Sequence, residues 1–187
     1  MSSILSNYGN VSYFQTISEY LSPVLKYNDS YWLRCWHGRT DGFGSATFHT
    51  KCDGKGPTVT IVLVKPFYVF GGYTDVPWHQ TRTYSSSTVS FLYSLYNIKG
   101  YQPAKMKIKV TSSAIYGDPG FGPTFGRGND LHIDTWSSTT SRSYATANSY
   151  EPPPGCPGAN CIFYVDGATY FQVEDIEVFY EKDRRAL

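Results

Sequence analysis

The segment KCDGKGPTVTIV, from Lys51 to Val62, holds residue types from which a reactive thiol or a phosphate grip is built. Cys52 lies beside Lys51 and Lys55, whose charges favour a thiolate, while the adjacent Asp53 works against one. A phosphate loop needs G-x-x-x-x-G-K-[ST] opening a helix, so that backbone N–H groups and the helix N-terminus hold the anion. Here Gly54-Lys55 is followed by Gly56 and Pro57, His49 stands where the first glycine belongs, and a β-branched run follows. The phosphate reading fails in both residues and order. A second cluster, GDPGFGPTFGRGND, has Gly120-x-Gly122, but its next glycine, Gly126, comes one residue late for a dinucleotide fingerprint. The strand-like NDLHID follows it, so a glycine-rich loop is the better reading.

The remaining candidates are sparse. Four cysteines, Cys35, Cys52, Cys156 and Cys161, could hold zinc, but the step from Cys35 to Cys52 fits no common knuckle. Cys52 reads better as a buried structural cysteine, and CPGANC would close a local disulfide in an oxidising compartment. Asp130, His132 and Asp134 share one side of a strand by period two, which suits a metal or acid–base cluster but more often marks a solvent-facing surface. No G-x-S-x-G is present. Lys105, Lys107 and Lys109 form a solvated or partner-facing stripe.

These residues must be positioned by a single domain of 187 residues, rich in strands and turns. Aromatic residues make up 17% of the chain, with 17 Tyr, and this favours strands; Gly 17 and Pro 11 supply turns. Phe14, Ile17, Tyr20 and Leu21 recur at helical spacing, with Ser12 as the expected cap and Pro23 as the stop. GSATFHTKC reads as a short helix capped by Ser45. YWLRCW, TVTIVLV, FYVFGGY, VSFLYSLY, MKIKV, DLHID and QVEDIEVFYEK read as strands, with Pro66 separating the second and third into a hairpin. SRSYATANSYEPPPGCPGANC reads as a long polar loop and DRRAL as a frayed tail. The expected division is a helical lead-in at 1–30, the domain proper at 31–181 and a tail at 182–187.

A net charge of +1 gives no basic field for nucleic acid. No apolar run reaches the roughly 20 residues of a membrane helix. The N-terminus lacks a basic region followed by an apolar core, so the expected location is cytoplasmic, with no membrane insertion.

Four segments in order carry a resemblance: WHGRTDGFGSATFHTKCDGKGPTVTIV, FGGYTDVPW, GPTFGRGNDLHI and VEDIEVFYE. Between Leu33 and Glu181 the chain resembles the TLDc domain, the module of oxidation-resistance proteins and their relatives. The resemblance implies a mainly β fold, two antiparallel sheets packed as a sandwich with a few short helices. It also implies a link to oxidative-stress resistance and, in several members, binding to the vacuolar proton-pumping ATPase. It implies no cofactor and no agreed catalytic mechanism, so only motif positions carry over. These are Arg39, Asp41, Gly42 and Phe43, then Phe48, Cys52, Gly54 and Gly56; Gly71, Gly72, Tyr73 and Trp78; Gly122, Phe125, Gly126, Gly128 and Asp130; and Asp175, Glu177 and Phe179. The strand SFLYSLY lacks a cysteine that some relatives carry in a TFC context, which puts thiol-based peroxide chemistry in doubt.

As structure, Gly71-Gly72 should end a strand, with Tyr73 and Trp78 packed over it, and Gly122 to Gly128 should form a loop beside a sheet. Glu177 should point away from Ile176 and Val178, either to solvent, to an arginine such as Arg39, or to a partner. The leading expectation is a protein-interaction module without catalysis. The alternatives are a carbohydrate- or ligand-binding β-sandwich, suggested by the many Tyr and Trp, and a thiol-based peroxide-protective enzyme.

Overall fold

The computed structural model describes residues 1–8, 11–65, 67–153, 155, 163 and 170–186. In chain order the first strands are β1 (Ser30–His37), β2 (Thr58–Val64), β3 (Tyr68–Thr74), β4 (Thr83–Ser85), β5 (Phe91–Tyr96) and β6 (Ala104–Lys107). The later ones are β7 (Ile115–Gly117), β8 (Phe121–Phe125), β9 (Leu131–Asp134), β10 (Ser143–Ala145), β11 (Tyr170–Phe171) and β12 (Val173–Asp183). Four helices accompany them: α1 (Ser3–Tyr8), α2 (Val11–Leu21), α3 (Gly38–Asp41) and α4 (Ser45–Cys52). The strands form two six-stranded antiparallel sheets, ordered β1-β12-β2-β3-β5-β6 and β11-β10-β9-β8-β7-β4. The expected mainly β sandwich is what the chain adopts.

The molecule has three layers, and this explains the residue pattern of β2. Its seven residues TVTIVLV are all buried. Val59, Ile61 and Leu63 face the helix side, where Ile4, Leu5, Ile17 and Leu21 meet Tyr93 and Phe179. Val62 and Val64 face the second sheet, meeting Trp36, Phe48, Trp78, Phe125 and Leu131. A strand covered on both faces reads as a continuous apolar run rather than an alternation. The edge strand β6 does alternate: Met106 is buried and Lys107 exposed.

The helix expected from Phe14, Ile17, Tyr20 and Leu21 is α2, and those side chains pack on the first sheet. Ser12 lies inside α2 instead of capping it, and Pro23 sits in a 3-10 turn, Ser22–Val24. The N-cap of α4 is Gly44, with Ser45 the first helical residue. Gly71 and Gly72 lie inside β3, not at its end. There a Cβ on Gly72 would come within 2.7 Å of Phe125, so the position serves close packing between the sheets. Half of the loop expected at Gly122 to Gly128 is strand β8. The expected polar loop after Ser141 contains β10, and Lys109 and Val110 donate backbone N–H groups to the Ser149 carbonyl. The expected frayed tail instead continues β12 to Asp183 and ends in a 3-10 turn, where Arg184 N–H donates to the Asp29 carbonyl at 2.9 Å. Pro66 and the Cys156–Cys161 pair lie outside the described residues.

Candidate functional site

Where β1 ends, the chain makes one helical turn, α3, against the start of β12. Gly38 opens the turn in a space too tight for a side chain: a Cβ would lie 2.5 Å from Phe43 and 2.9 Å from Ile176. Asp41 closes the turn by accepting the His37 N–H at 2.9 Å and pairing with Lys51 at 2.9 Å. Burial works to raise its carboxyl, but Lys51 and the His37 N–H outweigh it and hold Asp41 below the usual range. Gly42 then turns away with φ +92, and its carbonyl accepts the Trp36 indole N–H at 2.9 Å. Phe43 packs, partly buried, on the inter-sheet core.

On the facing side, β12 has a register shift between Val173 and Asp175. Such irregularities re-aim side chains, and here both Glu174 and Asp175 reach α3. Arg39 Nη2 meets Glu174 at 2.5 Å and its Nε lies 3.6 Å from Asp175. His37 Nε2 lies 3.1 Å from Asp175, and its Nδ1 is 2.7 Å from the Thr40 hydroxyl. Lys65 reaches Glu174 at 3.0 Å. The base of the cluster is buried, Asp175 side chain being 4% exposed, while Arg39 is 44% and Lys65 68% exposed. Three cations, Arg39, Lys51 and Lys65, therefore face three carboxylates, Asp41, Glu174 and Asp175. Two expected site residues, Arg39 and Asp41, and the motif residue Asp175 come together here. Lys65 and Glu174, which complete the surface, were not singled out in the sequence because nothing local distinguishes them.

Glu177 is neither solvated nor paired with Arg39. It is fully buried on the helix side of the sheet, and its arginine is Arg34, at 2.6 Å. Its carboxylate also accepts the Ser2 hydroxyl at 2.5 Å, the Ser3 hydroxyl at 2.9 Å, and backbone N–H groups of Ser3 at 3.1 Å and Ile4 at 3.4 Å. Burial raises this carboxyl, yet the serine hydroxyls, the amide and the guanidinium together hold it below its ordinary value. A carboxylate on the first amides of α1 complements the helix dipole, so Glu177 is the anchor of the N-terminus.

The other motif positions are scattered through the interior. Cys52 is bonded to Cys35 on β1, with Cα atoms 5.5 Å apart. This overturns the thiolate reading of Cys52 and removes both cysteines from any zinc set. Gly54, at φ +71, donates its N–H to the Trp78 carbonyl at 3.0 Å, and the Trp78 indole donates to Thr58 at 3.0 Å. Phe48 packs between Trp36 and Trp78, tilted to the first and edge-on to the second, with ring centroids at 5.3 and 5.5 Å. Gly71 lies against the Thr60 carbonyl, and Gly122 would put a Cβ 3.1 Å from Ile133. Gly126 and Gly128, at φ +80 and +78, form the turn before β9. Asp130 is not solvent-facing: it is buried, and its Oδ2 accepts the N–H groups of Asn148 at 2.8 Å, Ser149 at 2.8 Å and Tyr150 at 2.9 Å. Burial pushes its carboxyl up to about 6 against those donors. His132 is also buried, covered by Phe121 and Tyr144 with ring centroids at 4.5 and 4.8 Å. Burial pushes its imidazole down to about 4 despite Asp134 and Asp118 nearby. Asp130 and His132 therefore form no joint acid–base cluster.

The fold is a two-sheet antiparallel β-sandwich flanked by a few short helices, with its motif residues in packing, turns and one charged surface cluster. The family model of the TLDc domain matches residues 3–182, nearly the whole chain, and the chain belongs to that family, one linked generally to resistance to oxidative stress. No curated protein matches it significantly. Among the described residues no helix is long and apolar enough to cross a membrane.

Proposed function

We propose that the chain is a protein-interaction module of oxidative-stress resistance that docks through the α3–β12 surface, with the vacuolar proton-pumping ATPase as its partner. The observation that carries this reading is the convergence of Arg39, Asp41 and Asp175 with Lys51, Lys65 and Glu174 on one partly exposed, charge-balanced patch. Balanced pairs at a rim give orientation and specificity to a protein contact more than raw affinity. The buried His37–Asp175 pair holds the patch in place from beneath. In this reading the domain works in the cytoplasm and needs no cofactor. A reducing cytoplasm would keep Cys35 and Cys52 as thiols, so their bond ties the packing of α4 to oxidising conditions.

The test is capture from a lysate with the intact chain as bait and immunodetection of proton-pump subunits. Recovery is expected with the wild type and at least tenfold less with an Arg39→Glu, Lys65→Glu double variant, since reversing rim charges costs encounter rate and pairing. Wild-type bait that recovers no pump subunit, with or without nucleotide, overturns the assignment of partner. Equal recovery by the double variant overturns the assignment of surface.

A further inference from the structure

Among the described residues the two sheets present four edge strands, β1, β6, β11 and β4. Three of them offer little to another chain. The outer side of β6 is already met by the segment after β10: Glu151 N–H donates to the Lys107 carbonyl at 2.9 Å and Lys109 N–H to the Ser149 carbonyl at 2.8 Å. Strands β4 and β11 are only three and two residues long. Strand β1 runs for eight residues. Its backbone orientation follows from the bonds of its neighbour β12. Each residue of an antiparallel ladder aims its N–H and C=O to one side, and successive residues alternate. Glu181 N–H donates to the Pro57 carbonyl at 2.9 Å, toward β2. Glu181 stands opposite Trp32, and Phe179, two residues earlier, stands opposite Arg34. The N–H and C=O groups of Trp32 and Arg34 therefore point away from the sheet. Both ends of β1 obey the same alternation. Asp29 turns inward and accepts the Arg184 N–H at 2.9 Å, while the outward His37 N–H is taken by the Asp41 carboxylate at 2.9 Å. Among the described residues, no hydrogen bond takes up the outward groups of Trp32 and Arg34.

The open stretch can be reached from solvent: Leu33 is 38% exposed and the Arg34 side chain 36%. The side chains around it are aromatic and cationic. Tyr31 lies opposite Lys182 and Leu33 opposite Tyr180. Lys55 and Lys182 lie over the Tyr180 ring, at 5.0 and 6.0 Å from its centroid. Arg184 lies over Tyr31 at 5.9 Å and Lys26 over Tyr27 at 5.4 Å. The nearby carboxylates are already engaged. Glu177 holds Arg34 at 2.6 Å, Asp29 lies 3.6 Å from Arg184, and Asp183 lies 3.7 Å from Arg185. Glu181 is buried and accepts the N–H groups of Lys26 and Tyr27 at 2.9 and 3.1 Å. Among the described residues, the Lys26, Lys55 and Lys182 ammonium groups have no carboxylate within ion-pair distance.

We propose that β1 accepts an added strand from a partner protein, an extended acidic segment. Its backbone pairs with Trp32 and Arg34, and its carboxylates meet Lys26, Lys55 and Lys182. Two independent observations select that occupant. Outward N–H and C=O groups along a strand edge are matched by another extended polypeptide, and by neither a phosphate backbone nor a lipid surface. The unmatched cations select negative charge. A second copy of this chain would bring the same excess of cations to the joint, so charge works against self-pairing. The register shift between Arg34 and Trp36 ends the regular stretch, which confines the added strand to the Ser30–Arg34 end of β1. None of Lys26, Trp32, Arg34, Lys55 and Lys182 belongs to the α3–β12 patch, so this inference stands or falls separately from that one.

The experiment combines calorimetry with amide hydrogen exchange read by NMR, on the full chain and a synthetic peptide alternating glutamate and valine. A Kd of roughly 0.1 mM is expected. In the free protein the Trp32 and Arg34 amides should exchange fast, while those of Tyr31 and Leu33 are protected. Saturating peptide should slow Trp32 and Arg34 by about tenfold. The same peptide N-methylated at alternate residues should bind about tenfold more weakly, since it cannot complete the ladder. Its lysine–valine counterpart should lose as much, and so should the acidic peptide against a Lys26→Glu, Lys182→Glu double variant. Both positions are exposed, and an unchanged melting temperature confirms that the variant is folded. No binding of the acidic peptide, Trp32 and Arg34 amides that stay fast in its presence, or equal binding by the N-methylated peptide, the lysine peptide or the double variant overturns the proposal. Tighter binding of a thymidine oligonucleotide also overturns it. So does protection of Trp32 and Arg34 that grows with protein concentration alone, which would put a second copy on the edge.

Discussion

At the scale of single residues, sequence alternation placed side chains on the right face but could not say what covered that face. Along β9, His132 and Asp134 alternate with the core residues Leu131 and Ile133, as period two requires. Sequence alone made that face solvent, whereas Phe121 and Tyr144 close over His132 from neighbouring strands. The consequence is measurable. An imidazole held down to about 4, against an ordinary 6.5, resists protonation in the folded state only. Its contribution is therefore intact above pH 6.5 and lost as pH falls toward 4. Asp130, raised to about 6, contributes with the opposite sign over much of that window, so wild type alone does not isolate His132. The difference between wild type and His132→Asn does. By urea denaturation, the stability advantage of wild type should shrink by about 2–3 kcal/mol between about pH 7 and about pH 4.5. An unchanged difference would mean that the ring is not sequestered from protons.

At the scale of elements, the strands were legible because hydrophobic runs bounded by Gly and Pro carry their own signal. The hairpin of β2 and β3 is local, and its register, Thr58 with Thr74 through Val64 with Tyr68, follows from two adjacent apolar runs. The polar segment containing β10 was missed because a three-residue strand has too few positions to show a period. The disulfide was missed because Cys35 and Cys52 sit on different elements, 17 residues apart, with no spacing rule to join them. It staples α4 to β1 beneath Lys51, which supports Asp41. Replacing both cysteines by alanine should lower stability by about 3 kcal/mol, the scale for a loop of this length. A dithiol should lower the wild-type melting temperature and leave that of the double variant unchanged. Equal sensitivity of the two proteins to the dithiol would show that this bond is not what the reagent breaks.

At the scale of the whole molecule, the final strand enters the first sheet between β1 and β2, and its Glu177 captures the first residues of the chain. Chain start and chain end are thereby fastened together, with the Ile4 and Leu5 side chains buried beneath them. Glu177→Gln should destabilise by about 2–4 kcal/mol, because buried donors and the Arg34 charge lose their anion. Arg34→Ala, which removes a partner 36% exposed, should cost less, about 1 kcal/mol. Thermal denaturation orders the two; an equal or larger effect at Arg34 would refute the anchor role of Glu177.

What the sequence by itself determined was the β class, the helix α2, the hairpin β2–β3, the edge alternation of β6 and the family, since each rests on local periodicity or on ordered motifs. Only the tertiary structure decided that Arg39 joins Asp175 while Glu177 joins Arg34, and that Cys35 bonds Cys52. Those pairings link residues distant along the chain, and their partners are set by strand order and register, which no local pattern of side chains encodes.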